Sequence, residues 1–183
     1  MTRPSMRHVA ATTLTCCLAL ALTACGGGRE YTVPEAACGV PLGEKALEPF
    51  LVDGEKIEVV GDSLVESGTG TQGTCELRVD GKEMVHLRVH KVDKIYDPMA
   101  DLDAFRFTNR AKMEALPFSG LGALGDRNSM VSTECASPKA DYLVLHTVVR
   151  SPAEDDVAER RKDIEAFTLD FVPKVKKALG CTA

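Results

Sequence analysis

His86, Arg88 and His90 are the side chains whose types and spacing best suit binding chemistry. A spacing of two along a strand places all three on one face, and Glu76 falls on a neighbouring segment. A guanidinium between two imidazoles can hold an anion, and the imidazoles change charge near neutral pH. Four residue steps along a strand separate His86 from His90 by about 13 Å, too far to share one metal ion. The plainer reading is a solvated strand face. A cover over that face would change the reading, because buried polar side chains demand partners. His146 stands alone in an apolar segment and reads as a satisfied core or edge histidine.

Two further motifs carry chemistry elsewhere. Gly61-Asp62-Ser63-Leu64 follows an apolar strand pattern and resembles the first block of the GDSL hydrolases, which implies Ser63 as nucleophile. That chemistry needs a base and oxyanion donors within reach. The family's Gly-x-Asn-Asp block and late Asp-x-x-His block do not occur, so a turn is the favoured reading, the hydrolase stays as the alternative, and no catalytic residue is assigned. Gly120-Leu121-Gly122-Ala123-Leu124-Gly125 satisfies G-x-G-x-x-G, but a dinucleotide site needs a strand before it and a helix after it. Here a helix pattern precedes and a strand pattern follows, which predicts a glycine-rich connection and no cofactor.

Cysteine usage places these motifs in a compartment. Arg3 and Arg7 precede an apolar run over residues 9–22, too short for the roughly 20 apolar residues that span a bilayer core. Leu22-Thr23-Ala24-Cys25 closes the run, and the stretch resembles a bacterial lipobox. The resemblance implies cleavage before Cys25 and a diacylglycerol on its sulfur, with palmitate-type acyl chains anchoring the protein at the outer face of the cell membrane. Residues 1–24 are then a lipoprotein signal peptide, 25–35 a lipidated tether and 36–183 a single extracytoplasmic domain. The first 24 residues hold two of the 22 Lys+Arg and none of the 27 Asp+Glu, so the remainder carries a formal −7. An acidic chain argues against nucleic acid and against electrostatic adhesion to anionic lipid.

Cys16 and Cys17 leave with the signal, and Cys25 carries lipid. Cys38, Cys75, Cys135 and Cys181 remain, an even number for an oxidising compartment. No Cys-x-x-Cys pair and no zinc-finger spacing occurs, so no metal site is expected. Four cysteines allow three connectivities. Cys38–Cys75 with Cys135–Cys181 is favoured, because each bond then ties one half of the chain to itself.

The elements that must position these residues follow from periodicity. A short helix is predicted over 44–50 and a strand over 56–60. Residues 67–73 form a Gly/Thr-rich loop, and strands over 75–79 and 83–92 make a hairpin across Asp80-Gly81. A three-residue link with a glycine bulge pairs Leu77 with Val85 and Cys75 with Leu87, which puts the apolar residues on one face. A helix is predicted over 97–116 with Asp97 as cap, and a loop over 117–126. Strands follow over 128–133 and 142–149, the second apolar on both faces as a central strand requires. Ser151-Pro152-Ala153-Glu154 reads as the capping box of a final helix that Pro173 should kink or split and Gly180 should end.

The expected fold is α+β: an antiparallel sheet of about five strands packed by two or three helices, with weak internal duplication and two disulfides. The chain resembles small actinobacterial secreted lipoproteins, on the lipobox, four mature cysteines, Cys75–Gly81, Gly120–Gly122 and the cysteine-ended helix 167–181. The resemblance implies location and architecture and no activity. The functional expectation is a membrane-anchored, non-enzymatic domain that binds an envelope ligand or protein. An envelope assembly or signalling accessory is the other alternative.

Overall fold

The computed structural model describes residues 28–66 and 70–182. The signal 1–24, Cys16, Cys17, Cys25 and the first part of the predicted 67–73 loop lie outside the described residues. In chain order the elements are β1 (Ala36–Ala37), β2 (Val40–Pro41), α1 (Glu44–Leu47), β3 (Ile57–Gly61), β4 (Gln72–Val79) and β5 (Lys82–Val92). Then come β6 (Ala111–Lys112), β7 (Gly120–Leu124), β8 (Asn128–Ser137), β9 (Ala140–Val149) and α2 (Val157–Leu179). Short 3-10 turns occupy Glu48–Phe50 and Asp101–Arg106.

The class is α+β, and the main sheet is antiparallel with seven strands in the order β3-β4-β5-β9-β8-β7-β6. The expected count of about five fell short because β6 is a two-residue edge and β7 hides in the glycine-rich stretch. Two meanders, β3-β4-β5 and β7-β8-β9, meet at their last strands. Each carries a cysteine on its middle strand: Cys75 bonds Cys38, and Cys135 bonds Cys181. The central position of β9 explains its doubly apolar sequence.

The hairpin register matches the alternation. Leu77 pairs with Val85 and Cys75 with Leu87. The link differs in detail: Asp80 (φ 48°) and Gly81 (φ 76°) make a two-residue turn, and the extra residue is Met84, one step further along β5. Two left-handed residues match the twist of a hairpin, so the bulge moves off the turn. Met84 and Val85 are consequently both buried.

One face of the sheet is apolar. Cys75, Leu77, Val79, Val85, Leu87, Val89, Val131, Leu143, Leu145 and Val149 form one core with Leu47, Phe50, Ile164, Phe167, Phe171 and Val175. Phe50 meets Phe167 edge-on at 5.8 Å, so the N-terminal segment and α2 cover this face together. Ser129 and Thr168 hydroxyls hydrogen-bond at 2.6 Å inside that layer. α2 starts later than the capping box predicted. Asp156 is its cap, accepting from the Ala158 and Glu159 amides at 2.7 and 3.1 Å. Buried Arg160 donates to the Glu154 carbonyl at 2.7 Å and the Asp126 carbonyl at 2.8 Å, which holds the chain before Asp156 out of the helix. Pro173 does not split α2, since it lies on the exposed side, where water can satisfy the carbonyl it leaves free. Gly180 (φ 71°) ends the helix, with Cys181 N–H on the Lys176 carbonyl at 2.9 Å.

The predicted helix over 97–116 does not form. Asp97 accepts from the Met99 amide at 2.8 Å in a local turn, and only Asp101–Arg106 coils, as a 3-10 turn. Of the apolar residues in that stretch, Leu102 is 83% exposed and Phe105 77%, whereas Met113 is buried in the core. This segment lies across the other face of the sheet. At the opposite end of the chain, Arg29 bridges to Gly54 and donates to the Glu48 and Leu51 carbonyls at 3.1 and 2.9 Å. Tyr31 donates to the Val52 carbonyl at 2.6 Å, so the stretch expected as tether is docked on the domain from Arg29 onward.

Candidate functional site

The second face of the sheet is polar at its centre, because His86, Arg88 and His90 fill the positions between the core residues of β5 and His146 stands between Val144 and Val148 on β9. His86, Arg88 and His90 project there from β5, as alternation requires. Register sets Val148 opposite His86, His146 opposite Arg88 and Val144 opposite His90. On the far side of β9, Met130 of β8 stands opposite His146. The predicted trio is therefore joined by a fourth residue, His146, and the His90 and His146 rings meet edge-to-face with centroids 5.6 Å apart.

The segment after β5 forms a cover over one end of this face. The Tyr96 amide donates to Ser132 Oγ at 2.9 Å, and the Tyr96 hydroxyl donates to Asp103. Asp103 is buried, and its other oxygen accepts from Arg106 Nε at 2.7 Å. Arg110 braces the cover through the Pro98 and Ala100 carbonyls at 3.2 and 2.7 Å. Beneath it lies an open cavity of about 230 Å³, lined by His90, Val92, Tyr96, Asp103, Arg106, Met130, Val144 and His146.

Electrostatics in the cavity favour neutral imidazoles. Burial, then the neighbouring His90, then the Arg106 and Arg88 charges hold His146 down at about 4, against a weaker opposing pull from Asp103. Burial and the same two guanidiniums lower His90 as well. The hydrogen bond to Asp103 raises the Tyr96 hydroxyl and keeps it protonated. Two neutral rings, a phenol, a compensated carboxylate and an arginine at the rim can orient a small polar molecule.

Arg88 stands apart from this balance. It is half-buried, its Nε is shielded from solvent, and among the described residues it makes no hydrogen bond or ion pair. The His86 end is built differently. His86 Nδ1 lies 3.5 Å from Glu76 and 3.6 Å from Glu83, with Nε2 buried and unpartnered. Glu76, Glu83 and His86 are the residues that come closest to a metal-binding set. Both carboxylates are already engaged, Glu76 by Arg78 at 2.5 Å and Glu83 by Arg150 at 2.7 Å, so the group is balanced as ion pairs.

The other predicted motifs fall away from this face. Ser63 Oγ accepts from the Val65 and Glu66 amides at 3.2 and 2.8 Å, closing a turn after β3, and no histidine hydrogen-bonds it among the described residues. The G-x-G-x-x-G stretch is itself strand β7 and not a connection. No helix follows it, and side chains at Gly120 and Gly122 would run into the Ser132 carbonyl and Met113. Sequence reasoning missed Asp103 and Arg106 as cavity residues because it placed them in a helix, and Tyr96 because it stands just before that helix. The signal was available in Asp97-Pro98, a turn pair as much as a helix start. No family model, no curated protein sequence and no solved structure matches the chain, so the functional argument rests on these residues.

Proposed function

We propose that the protein is a lipid-anchored, extracytoplasmic, non-enzymatic binding domain, with the covered cavity on the polar face as its ligand site. The observation that carries the reading is that cavity: about 230 Å³, walled by five polar side chains drawn from two strands and a covering segment. The address rests on the lipobox pattern and agrees with two disulfides and no free cysteine among the described residues. No helix among the described residues is long and apolar enough to cross a membrane. Attachment in this reading is through acyl chains on Cys25, and two or three chains hold firmly where one does not.

The docking of Arg29 leaves a short leash. Cys25 to Arg29 spans at most roughly 14 Å when extended. Arg29 sits by Gly54, and the neighbouring Glu55 amide binds Asp80 of the β4–β5 turn at 3.2 Å. His90 lies eight residues up β5 from Lys82, roughly 27 Å away along the strand. In this reading the cavity lies toward the end of β5 away from the anchor, open to solutes of the envelope.

Three measurements test the reading. Cys25→Ser should move the protein from the membrane to the soluble fraction; retention overturns lipid anchoring. Titration with small envelope solutes should shift the His90 and His146 ring resonances; a panel that moves neither removes the cavity as the site. A fluorophosphonate that labels the wild type but not Ser63→Ala would replace the binding reading with the hydrolase. A second reading, an accessory that works by protein contact, is favoured by one observation: Leu102 and Phe105 lie exposed on the cover. Leu102→Ser with Phe105→Ser should leave the fold intact and abolish partner pull-down if that reading holds.

A further inference from the structure

We infer that the ligand of the polar face is a small anion, a carboxylate or phosphate group, received by the Arg88 guanidinium beside the His90–His146 pair. The inference deepens the binding reading and rests on it.

Arg88 is flanked on its own strand by His86 and His90, and it faces Thr74 of β4 and His146 of β9. None of these offers it an anion. The nearby carboxylates are spoken for: Asp103 by Tyr96 and Arg106, and Glu76 by Arg78. One positive charge is left over on the covered face of a chain whose formal charge is −5 overall. A shielded, unpaired Nε on a half-buried guanidinium is costly, because that N–H has lost water and gained no partner. An oxyanion would supply what is missing, since the guanidinium fork matches carboxylate and phosphate geometry with two parallel bonds. Neutral histidine rings beside it, His90 on the same strand and His146 opposite, can add hydrogen bonds without repelling an anion.

The choice of anion over cation follows from the same inventory. The acidic end of the face, Glu76 with Glu83, already holds Arg78 and Arg150 and has no charge to spare. The basic end does.

Calorimetry and histidine-ring NMR on the full chain in detergent, at pH 7, test the inference with inorganic phosphate, succinate and glucose as probes. Phosphate or succinate should bind saturably and move the His90 and His146 rings, and the tighter of the two identifies the anion class. Arg88→Gln should weaken that binding at least about tenfold, the loss of a charge-assisted bidentate contact. Arg88→Lys, which keeps the charge and loses the fork, should fall between. Equal anion affinity in wild type and Arg88→Gln overturns the inference. Ring shifts with glucose and none with either anion overturn it too, while leaving the binding domain standing. Silence with all three probes removes both. Near-UV circular dichroism on each variant confirms that the fold is intact before affinity is compared.

Discussion

The two faces of the seven-stranded sheet come from the same strands and are covered in opposite ways. The apolar face is sealed by α2 and the N-terminal segment, with Phe50, Phe167 and Phe171 interlocked between them. The polar face is roofed by an irregular stretch whose own apolar residues, Leu102 and Phe105, turn outward. The first cover is attached by burial of hydrocarbon, the second by a few hydrogen bonds to β8, the Tyr96 amide on Ser132 Oγ and Asn128 on the Arg106 carbonyl, and it is braced within by buried Asp103. A face closed by burial has no vacancy, whereas a face closed by a few polar contacts leaves room beneath them. Stability and function are thus divided between the two sides of one sheet.

The largest expected effect tests the apolar side. Phe167 is fully buried and touches two other rings, so Phe167→Ala should cost about 3–5 kcal/mol in urea unfolding. A loss near that of a surface substitution would mean that α2 does not seal the core.

The next effect belongs to the polar side and depends on pH. His146 is held neutral, at about 4 against 6.5 when unfolded. The unfolded chain takes up the proton first as pH falls, so stability is complete above about 6.5 and declines between there and about 4. The full loss is about 3 kcal/mol, at 1.36 kcal/mol for each pH unit of that window. Arg88 and His90 on β5 and Arg106 on the cover all resist the charge, and Asp103 partly relieves it. His146→Gln removes the titration and should flatten the curve of unfolding free energy against pH; an unchanged slope would place the acid sensitivity elsewhere.

The contrast between the faces also explains what could be read from the chain. Alternation in β4, β5 and β9 was legible, and with it the hairpin pairing, because a slip of one residue would have turned Leu77, Val85 and Leu87 to the wrong side. His86, Arg88 and His90 were legible for the same reason: they are the gaps in that pattern. The cover was not. Leu102 and Phe105 imitate a helical stripe, yet Asp103 between them is the residue that is buried, and no periodicity rule ranks an aspartate above a phenylalanine for burial. His146 was readable as buried but not as a partner of His90, since their adjacency depends on β5 pairing with β9 across an intervening cover and three further strands. Strand β7 was lost among glycines whose value lies in close approach to β8 and not in strand propensity.

Asp103→Asn should then loosen the cover from within without breaking the core. It removes the charge that holds Arg106 while keeping the side-chain size, at an expected cost of about 1–3 kcal/mol. Amide exchange should quicken over the covering segment, and the anion-responsive ring signals of His90 and His146 should broaden or move. Equal acceleration in α2 would show that the two covers are one cooperative unit, and would break the division drawn between the faces.

The smallest expected effect is local and lies at the start of α2. Asp156 caps the helix with its carboxylate, and the two amides it accepts hold that carboxyl below the usual range. In Asp156→Ala the Ala158 and Glu159 amides lose their acceptor, so their exchange should quicken while amides around Phe167 and Phe171 keep their protection. The reason is distance from the seal: the first turn is largely exposed, and the rings that close the apolar face begin two turns later. Loss of protection throughout α2 would mean that the cap, and not aromatic burial, holds the helix on the sheet. The apolar face would then be closed by a few polar contacts, as the polar face is.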